Sequence, residues 1–147
     1  MKIAILGMGY VGLPLATSLS SYFRVVGFDV DYKRITELRK KIDRNKDFDL
    51  KKIKSKIEFT NKINQIQDCN VFIVCVPTPV LKNNKPNLKP LQNALKNISK
   101  IIKLDDLIII ESTVYPGVSE KLTKEIMISE KGYILNNHYY LGYSPER

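Results

Sequence analysis

Three glycines, one aspartate and two threonines carry most of the chemistry this sequence offers. Gly7-Met8-Gly9-Tyr10-Val11-Gly12 fits the pattern G-x-G-x-x-G. That spacing suits a main chain that must wrap a phosphate. Gly7 permits a tight turn, Gly9 lets the backbone approach a pyrophosphate, and Gly12 lets the next helix pack against the strand. The helix N-terminus then offers unpaired N–H groups and a partial positive charge. Tyr10 and Val11 share the loop and count with the cofactor residues. Asp29 follows Gly9 by twenty residues. A carboxylate there accepts hydrogen bonds from a ribose 2′-OH and repels a 2′-phosphate. Arg34, five residues further on, argues the other way, because a nearby arginine accommodates that phosphate. Asp29 holds the strand-end position, so the reading favours NAD. The plain alternative is a strand–helix turn with an acid as cap.

These residues do chemistry only if the right elements carry them. Residues 2–6 are short, apolar and partly β-branched, as a strand requires. Val11, Leu15 and Leu19 then repeat every four residues and mark a helix face. Residues 24–28 read as a second strand. Ile35, Leu38 and Ile42 mark a helix beginning near Asp31, and Ile57 with Phe59 suggests a third strand. The unbroken apolar run 71–76 is of the kind buried on both faces. Leu91, Leu95, Ile98 and Ile102 form a helix face with Asn87 as cap. Residues 107–110 form another strand, and Val118, Leu122 and Ile126 a helix closed near Gly132. Residues 139–143 are the last strand. The alternation predicts an α/β fold: a Rossmann-type, doubly wound, mostly parallel sheet with helices on both faces.

Further motifs stand at the ends of these strands. Val76-Pro77-Thr78-Pro79 ends one, Glu111-Ser112-Thr113-Val114-Tyr115-Pro116-Gly117 ends the next, and Ser144-Pro145-Glu146-Arg147 follows the last. With the glycine loop and Asp29, they resemble the NAD-binding domain of the UDP-glucose/GDP-mannose dehydrogenase family over the whole chain. Arg147 and Tyr115-Pro116-Gly117 make it most similar to the branch that oxidises UDP-N-acetylhexosamines. The resemblance implies an enzyme that uses two NAD to convert a sugar C6 alcohol to a carboxylate, through an aldehyde and a cysteine thioester, for surface polysaccharide precursors. It implies NAD contacts for Val11, Asp29, Arg34, Thr78 and Thr113. It implies that Thr113 helps position a catalytic water, that Glu146 does acid/base work, and that Arg147 faces substrate. A carboxylate within hydrogen-bond reach can activate such a water. The alternatives are another dehydrogenase (UDP-glucose, GDP-mannose or hydroxyacid) and a basic nucleotide-sensing or nucleic-acid-binding module.

The resemblance also implies what is missing. The family nucleophile is a cysteine in a later domain, and neither Cys69 nor Cys75 matches its motif. The expectation is one truncated domain, 1–147, without the central dimerisation and C-terminal UDP-binding domains, and inactive alone. The parent is expected to be a homodimer or larger. Two cysteines and one histidine make a structural zinc site improbable. Glycines interrupt the N-terminal apolar run too early for a signal peptide. No later run approaches the ~20 residues of a membrane helix. A cytoplasmic protein with no membrane partner is expected.

Net charge is +9, but residues 33–62 hold twelve basic against five acidic side chains, hence seven of the nine. Phe48 and Phe59 are the only aromatics there, too few for a stacking platform. This segment is expected to be a solvated face, not a nucleic-acid site.

Overall fold

A computed structural model describes residues 1–45, 50, 57–81, 84–115 and 117–145. Among these residues six strands form one sheet: β1 (Lys2–Leu6), β2 (Arg24–Phe28), β3 (Glu58–Thr60), β4 (Val71–Val74), β5 (Asp106–Ile110) and β6 (Tyr139–Tyr143). Their spatial order is β3-β2-β1-β4-β5-β6, and all five pairings are parallel. Among the described residues four α-helices and one 3-10 turn (Ile63–Ile66) connect them: α1 (Gly12–Leu19), α2 (Tyr32–Arg39), α3 (Lys89–Ser99) and α4 (Val118–Lys131). The expected fold class is the one observed.

The central strands are apolar on both sides because both sides are covered. Ile3, Ile5, Val25 and Ile73 pack with Leu13 and Ala16 of α1 and with Ile35 and Leu38 of α2. Ala4, Leu6, Phe28 and Phe72 face the other way, onto Leu91, Leu95 and Ile98 of α3 and Ile126 of α4. Strand order reverses between β1 and β4. Ligands of such sheets bind in the crevice beyond the strand C-termini at that point.

The helices differ from their expected outlines in instructive ways. In α1 the most buried positions are Leu13 and Ala16, while Val11, Leu15 and Leu19 are half-buried. The buried face is thus rotated from the leucine repeat, because Gly12 presses the helix against the glycine loop. Helix α2 stops at Arg39, and Lys41 takes a left-handed φ of 58°. Ile42, expected on its buried face, is 52% exposed. Asn87 does act at the start of α3, its Oδ1 accepting the Lys89 N–H at 3.1 Å. Helix α4 ends, as expected, at Gly132 with φ 71°. Among the described residues no helix is long and apolar enough to cross a membrane.

Candidate functional site

A cleft of about 830 Å³ opens at the C-terminal ends of the central strands. Gly7, Gly9, Tyr10, Val11, Asp29, Arg34, Thr78 and Thr113 all line it. Gly12 lies just beneath.

The glycine loop is set by main-chain contacts. Gly7 has φ 99°, and a Cβ there would sit 2.7 Å from the Cys75 carbonyl oxygen. A Cβ on Gly12 would sit 1.8 Å from the Gly7 carbonyl oxygen. Both positions exclude any side chain. Gly9 differs: a Cβ there meets no atom of the described residues within 4 Å. Nothing among the described residues demands glycine at position 9, but a ligand lying against its backbone would. Helix α1 begins here without a side-chain cap and without an acid in its first turn. The arrangement is that of a helix-terminal anion site.

Met8, buried between the glycines, is gripped at both ends of its main chain. Its N–H donates to Asp29 Oδ2 at 2.8 Å, and its carbonyl accepts from Arg34 Nε at 2.8 Å. The other Asp29 oxygen accepts the Asp31 N–H at 2.9 Å. The carboxylate is therefore fixed at the end of β2, with lone pairs to spare for ribose hydroxyls. Arg34 is not part of a solvated face. It is 4% exposed, and its Nη1 pairs with Asp43 at 2.7 Å. That corrects the reading of the basic segment at this residue. Among the described residues Arg34 Nη2 is buried and has no partner.

Around this pair runs a second ring of charge. Arg44 donates to Glu37 at 2.5 Å and to Asp31 at 3.0 Å. The Glu37 contact, outweighing a desolvation loss, raises the Arg44 pKa further. Desolvation pulls the Asp31 carboxyl up, but the Arg34 and Lys33 main-chain N–H groups and Arg44 outweigh it, so its pKa lies below the usual value. Basic residues here neutralise neighbours. Residues 46–49 and 51–56 of the lysine-rich stretch lie outside the described residues, while Lys33, Arg39, Lys40 and Lys41 are exposed.

The far wall is held by hydroxyl groups. Thr78 Oγ1 donates to the Thr113 carbonyl at 2.8 Å, which joins two expected site residues directly. Ser112 Oγ donates to the Val76 carbonyl at 2.7 Å and ties the end of β5 to the end of β4. Tyr143, at the end of β6, donates its hydroxyl to the Val114 carbonyl at 2.9 Å. Thr113 is exposed on this scaffold. Glu146 and Arg147 lie outside the described residues. Sequence reasoning did not assign Ser112, Tyr143, Asp43 or Arg44. It also passed over Gly27, whose missing side chain makes room for Met8 Sδ, 2.6 Å from where its Cβ would be. A glycine inside a strand is itself a signal of close approach.

Neither cysteine forms a disulfide among the described residues, and Cys69 is buried. Burial pushes the Cys69 thiol up to about 11, so it is protonated and inert at neutral pH. Among the described residues no group of three or more potential ligands could hold a metal ion.

Comparison with known proteins agrees with this geometry. Residues 1–147 match the model of the UDP-glucose/GDP-mannose dehydrogenase family, NAD binding domain. A UDP-N-acetyl-D-glucosamine 6-dehydrogenase of Pseudomonas aeruginosa is 44% identical over 149 residues, all of this chain and 35% of that protein. A UDP-N-acetyl-D-mannosamine dehydrogenase of Pyrococcus horikoshii is 34% identical over 158 residues, again all of the chain and 36% of the relative. The solved UDP-D-ManNAc dehydrogenase of Pyrococcus horikoshii superposes with a TM-score of 0.89 at 32% identity, over 100% of this chain and 36% of that one. A ternary complex of GDP-mannose dehydrogenase from Pseudomonas aeruginosa shares the fold, with a TM-score of 0.92 at 24% identity, over 100% of this chain and 36% of that one. The chain thus spans about a third of the length of these relatives.

Proposed function

Since the chain belongs to the UDP-glucose/GDP-mannose dehydrogenase family, as its NAD-binding domain, we propose that it serves a 6-dehydrogenase acting on a UDP-N-acetylhexosamine. The open space over Gly9, between two glycines that the protein itself requires, carries the cofactor reading. NAD supplies the hydride acceptor when bound. Gly7, Gly9, Tyr10, Val11 and Gly12 hold the pyrophosphate side, and the start of α1 offers it N–H groups. Asp29 accepts from the ribose and, as a fixed anion, repels a 2′-phosphate. Arg34, whose Nε holds the Met8 carbonyl, stands on the same wall. Thr78 and Thr113 line the other end.

The substrate-facing roles rest on motif. Thr113 orients a water without adding charge. Glu146 takes and gives the proton in hydrolysis, and Arg147 meets the substrate's anionic groups. The nucleophilic cysteine and the UDP-binding residues belong to the parent protein's other parts, as does its assembly as a homodimer or larger. The product is a uronate for surface polysaccharide, made in the cytoplasm. The substrate reading follows the named activities of the relatives at 44% and 34% identity.

Titration calorimetry with NAD, NADP and a DNA duplex tests the cofactor reading. NAD is expected to bind, NADP at least about tenfold more weakly, given a charge repulsion worth more than ~1.4 kcal/mol. DNA is expected to give no heat. Heat from DNA with none from NAD would sink the proposal. The chain alone is expected to make no NADH from a UDP-N-acetylhexosamine, and steady turnover would overturn the assignment of the chemistry to absent parts.

A further inference from the structure

The segment that leaves β5 is gripped from the strands on both sides of it. Tyr143 closes the β5–β6 ladder opposite Ile110, and the next residue, Ser144, donates its N–H to the Ile110 carbonyl at 3.0 Å. From there the Tyr143 hydroxyl meets both main-chain groups of Val114. It donates to the Val114 carbonyl at 2.9 Å and accepts the Val114 N–H at 3.4 Å. A phenolic hydroxyl can do both at once.

The Val114 N–H belongs to the same planar peptide unit as the Thr113 carbonyl. That carbonyl accepts from Thr78 Oγ1 at 2.8 Å. One peptide unit is thus held at both ends, by Thr78 from beyond β4 and by Tyr143 from β6. It cannot turn over without losing both bonds. Its neighbours are anchored as well. The Glu111 and Ser112 N–H groups both donate to the Val74 carbonyl, and Val114 packs against the apolar cluster under α3 and α4. Thr113 stands between these anchors, exposed and lining the cleft. Tyr143 is not among the described residues that line the cleft, so its hydroxyl acts through the peptide it holds.

On the NAD reading, Asp29 takes the adenosine ribose and the glycine loop the pyrophosphate. That leaves the nicotinamide half to Thr78 and Thr113. We infer that Tyr143 is a positioning residue of this site: with Thr78 it clamps the Thr113–Val114 peptide and so fixes the place of Thr113 against the nicotinamide half. The inference rests on the NAD reading. A segment ordered in advance gives up less on binding than one that the ligand must order itself.

The test is Tyr143→Phe, which removes the hydroxyl and keeps the ring. Calorimetry measures NAD and ADP against the 147-residue chain and the variant. ADP keeps the adenosine and the two phosphates and lacks the nicotinamide half. NAD is expected to bind the variant about fivefold more weakly, and ADP to stay within about twofold, on the scale of one neutral hydrogen bond lost at one end of the cleft. Circular dichroism and Tm follow the fold of the variant. NAD affinity unchanged by Tyr143→Phe overturns the inference and leaves the NAD reading standing. Equal losses for NAD and ADP, or a variant that no longer folds, overturn it too, since the hydroxyl would then serve the fold at large. Binding of neither nucleotide by the wild-type chain overturns the NAD reading and the inference with it.

Discussion

The two ends of the cleft are built by different means. Beyond β1 and β2, main-chain groups and buried charges fix the loop. Gly7 and Gly12 touch neighbouring carbonyls, and Asp29 and Arg34 hold the two ends of the Met8 main chain. Beyond β4, β5 and β6, three hydroxyl groups, on Thr78, Ser112 and Tyr143, hold main-chain carbonyls, Ser112 reaching both Val76 and, at 3.3 Å, Val74. The first construction has no slack, since a carbonyl packed against a glycine cannot yield to a side chain. The second is a set of single neutral hydrogen bonds, each worth about 1 kcal/mol net. One end is therefore expected to fail abruptly on substitution and the other to weaken by degrees.

The largest expected effect is Asp43→Ala. It leaves the Arg34 guanidinium buried without its anion, where side-chain exposures are 5% and 3%. Breaking such a pair costs about 3–5 kcal/mol. Urea unfolding checks this, and a loss below ~1 kcal/mol would show that the pair does not hold the glycine loop. Gly12→Ala follows. Its Cβ collides with the Gly7 carbonyl, so a loss of about 3 kcal/mol is expected, at the upper end for overpacking. Gly9→Ala separates structure from ligand at the same loop. With open space above it, stability is expected to change by less than about 1 kcal/mol, on the scale of a Gly–Ala exchange. NAD affinity, read by calorimetry, is expected to fall at least about tenfold, or ~1.4 kcal/mol. Stability loss in Gly9→Ala as large as in Gly12→Ala would erase the distinction between them.

Ser112→Ala tests the hydroxyl-built end. It removes the bond to the Val76 carbonyl and is expected to cost about 1 kcal/mol of stability. NAD affinity is expected to drop modestly with it, because the Thr78 and Thr113 segments lose their tie. Tyr139→Phe is expected to act in the opposite direction. The Tyr139 hydroxyl is buried with no partner among the described residues, and burial raises its pKa. Removing it is expected to stabilise by about 1 kcal/mol, raising Tm by roughly 3 °C.

The same contrast decides what the sequence revealed. The glycine loop was legible because sterics dictate its residue types: no other residue survives at Gly7 or Gly12. Strand β6 was legible to the residue, and so was the end of α4 at Gly132, where φ is positive. Arg34 was misplaced among solvated charges, because its anion sits nine residues away at Asp43 and composition cannot show pairing. Ser112 and Tyr143 escaped notice for a similar reason. A hydroxyl that holds a distant carbonyl leaves no periodicity, and their partners lie 36 and 29 residues away in sequence. Ile42 was assigned to a helix face that Lys41 had already ended.

The smallest expected effect concerns Asp106, opposite Tyr139 in the β5–β6 ladder. Its carboxylate is buried and accepts the Lys103 N–H at 2.8 Å. Burial raises its pKa, against the opposing hydrogen bonds from Lys103 and Asn70. The folded chain thus holds this proton more tightly than the unfolded chain. The resulting stabilisation is fully present below the ordinary carboxyl value, near 4. It is lost as pH rises through the higher folded value. Asp106→Asn keeps an oxygen to accept from Lys103 and carries no charge. The variant is therefore expected to match the wild-type chain best in acid and to gain on it toward pH 7, by less than Tyr139→Phe gains. Urea unfolding at pH 4, 5.5 and 7 measures the difference. A variant that loses ground as pH rises would mean that the ionised carboxylate stabilises the start of β5, at the edge of the sheet away from the cleft, and that buried charge supports the fold beyond the glycine loop.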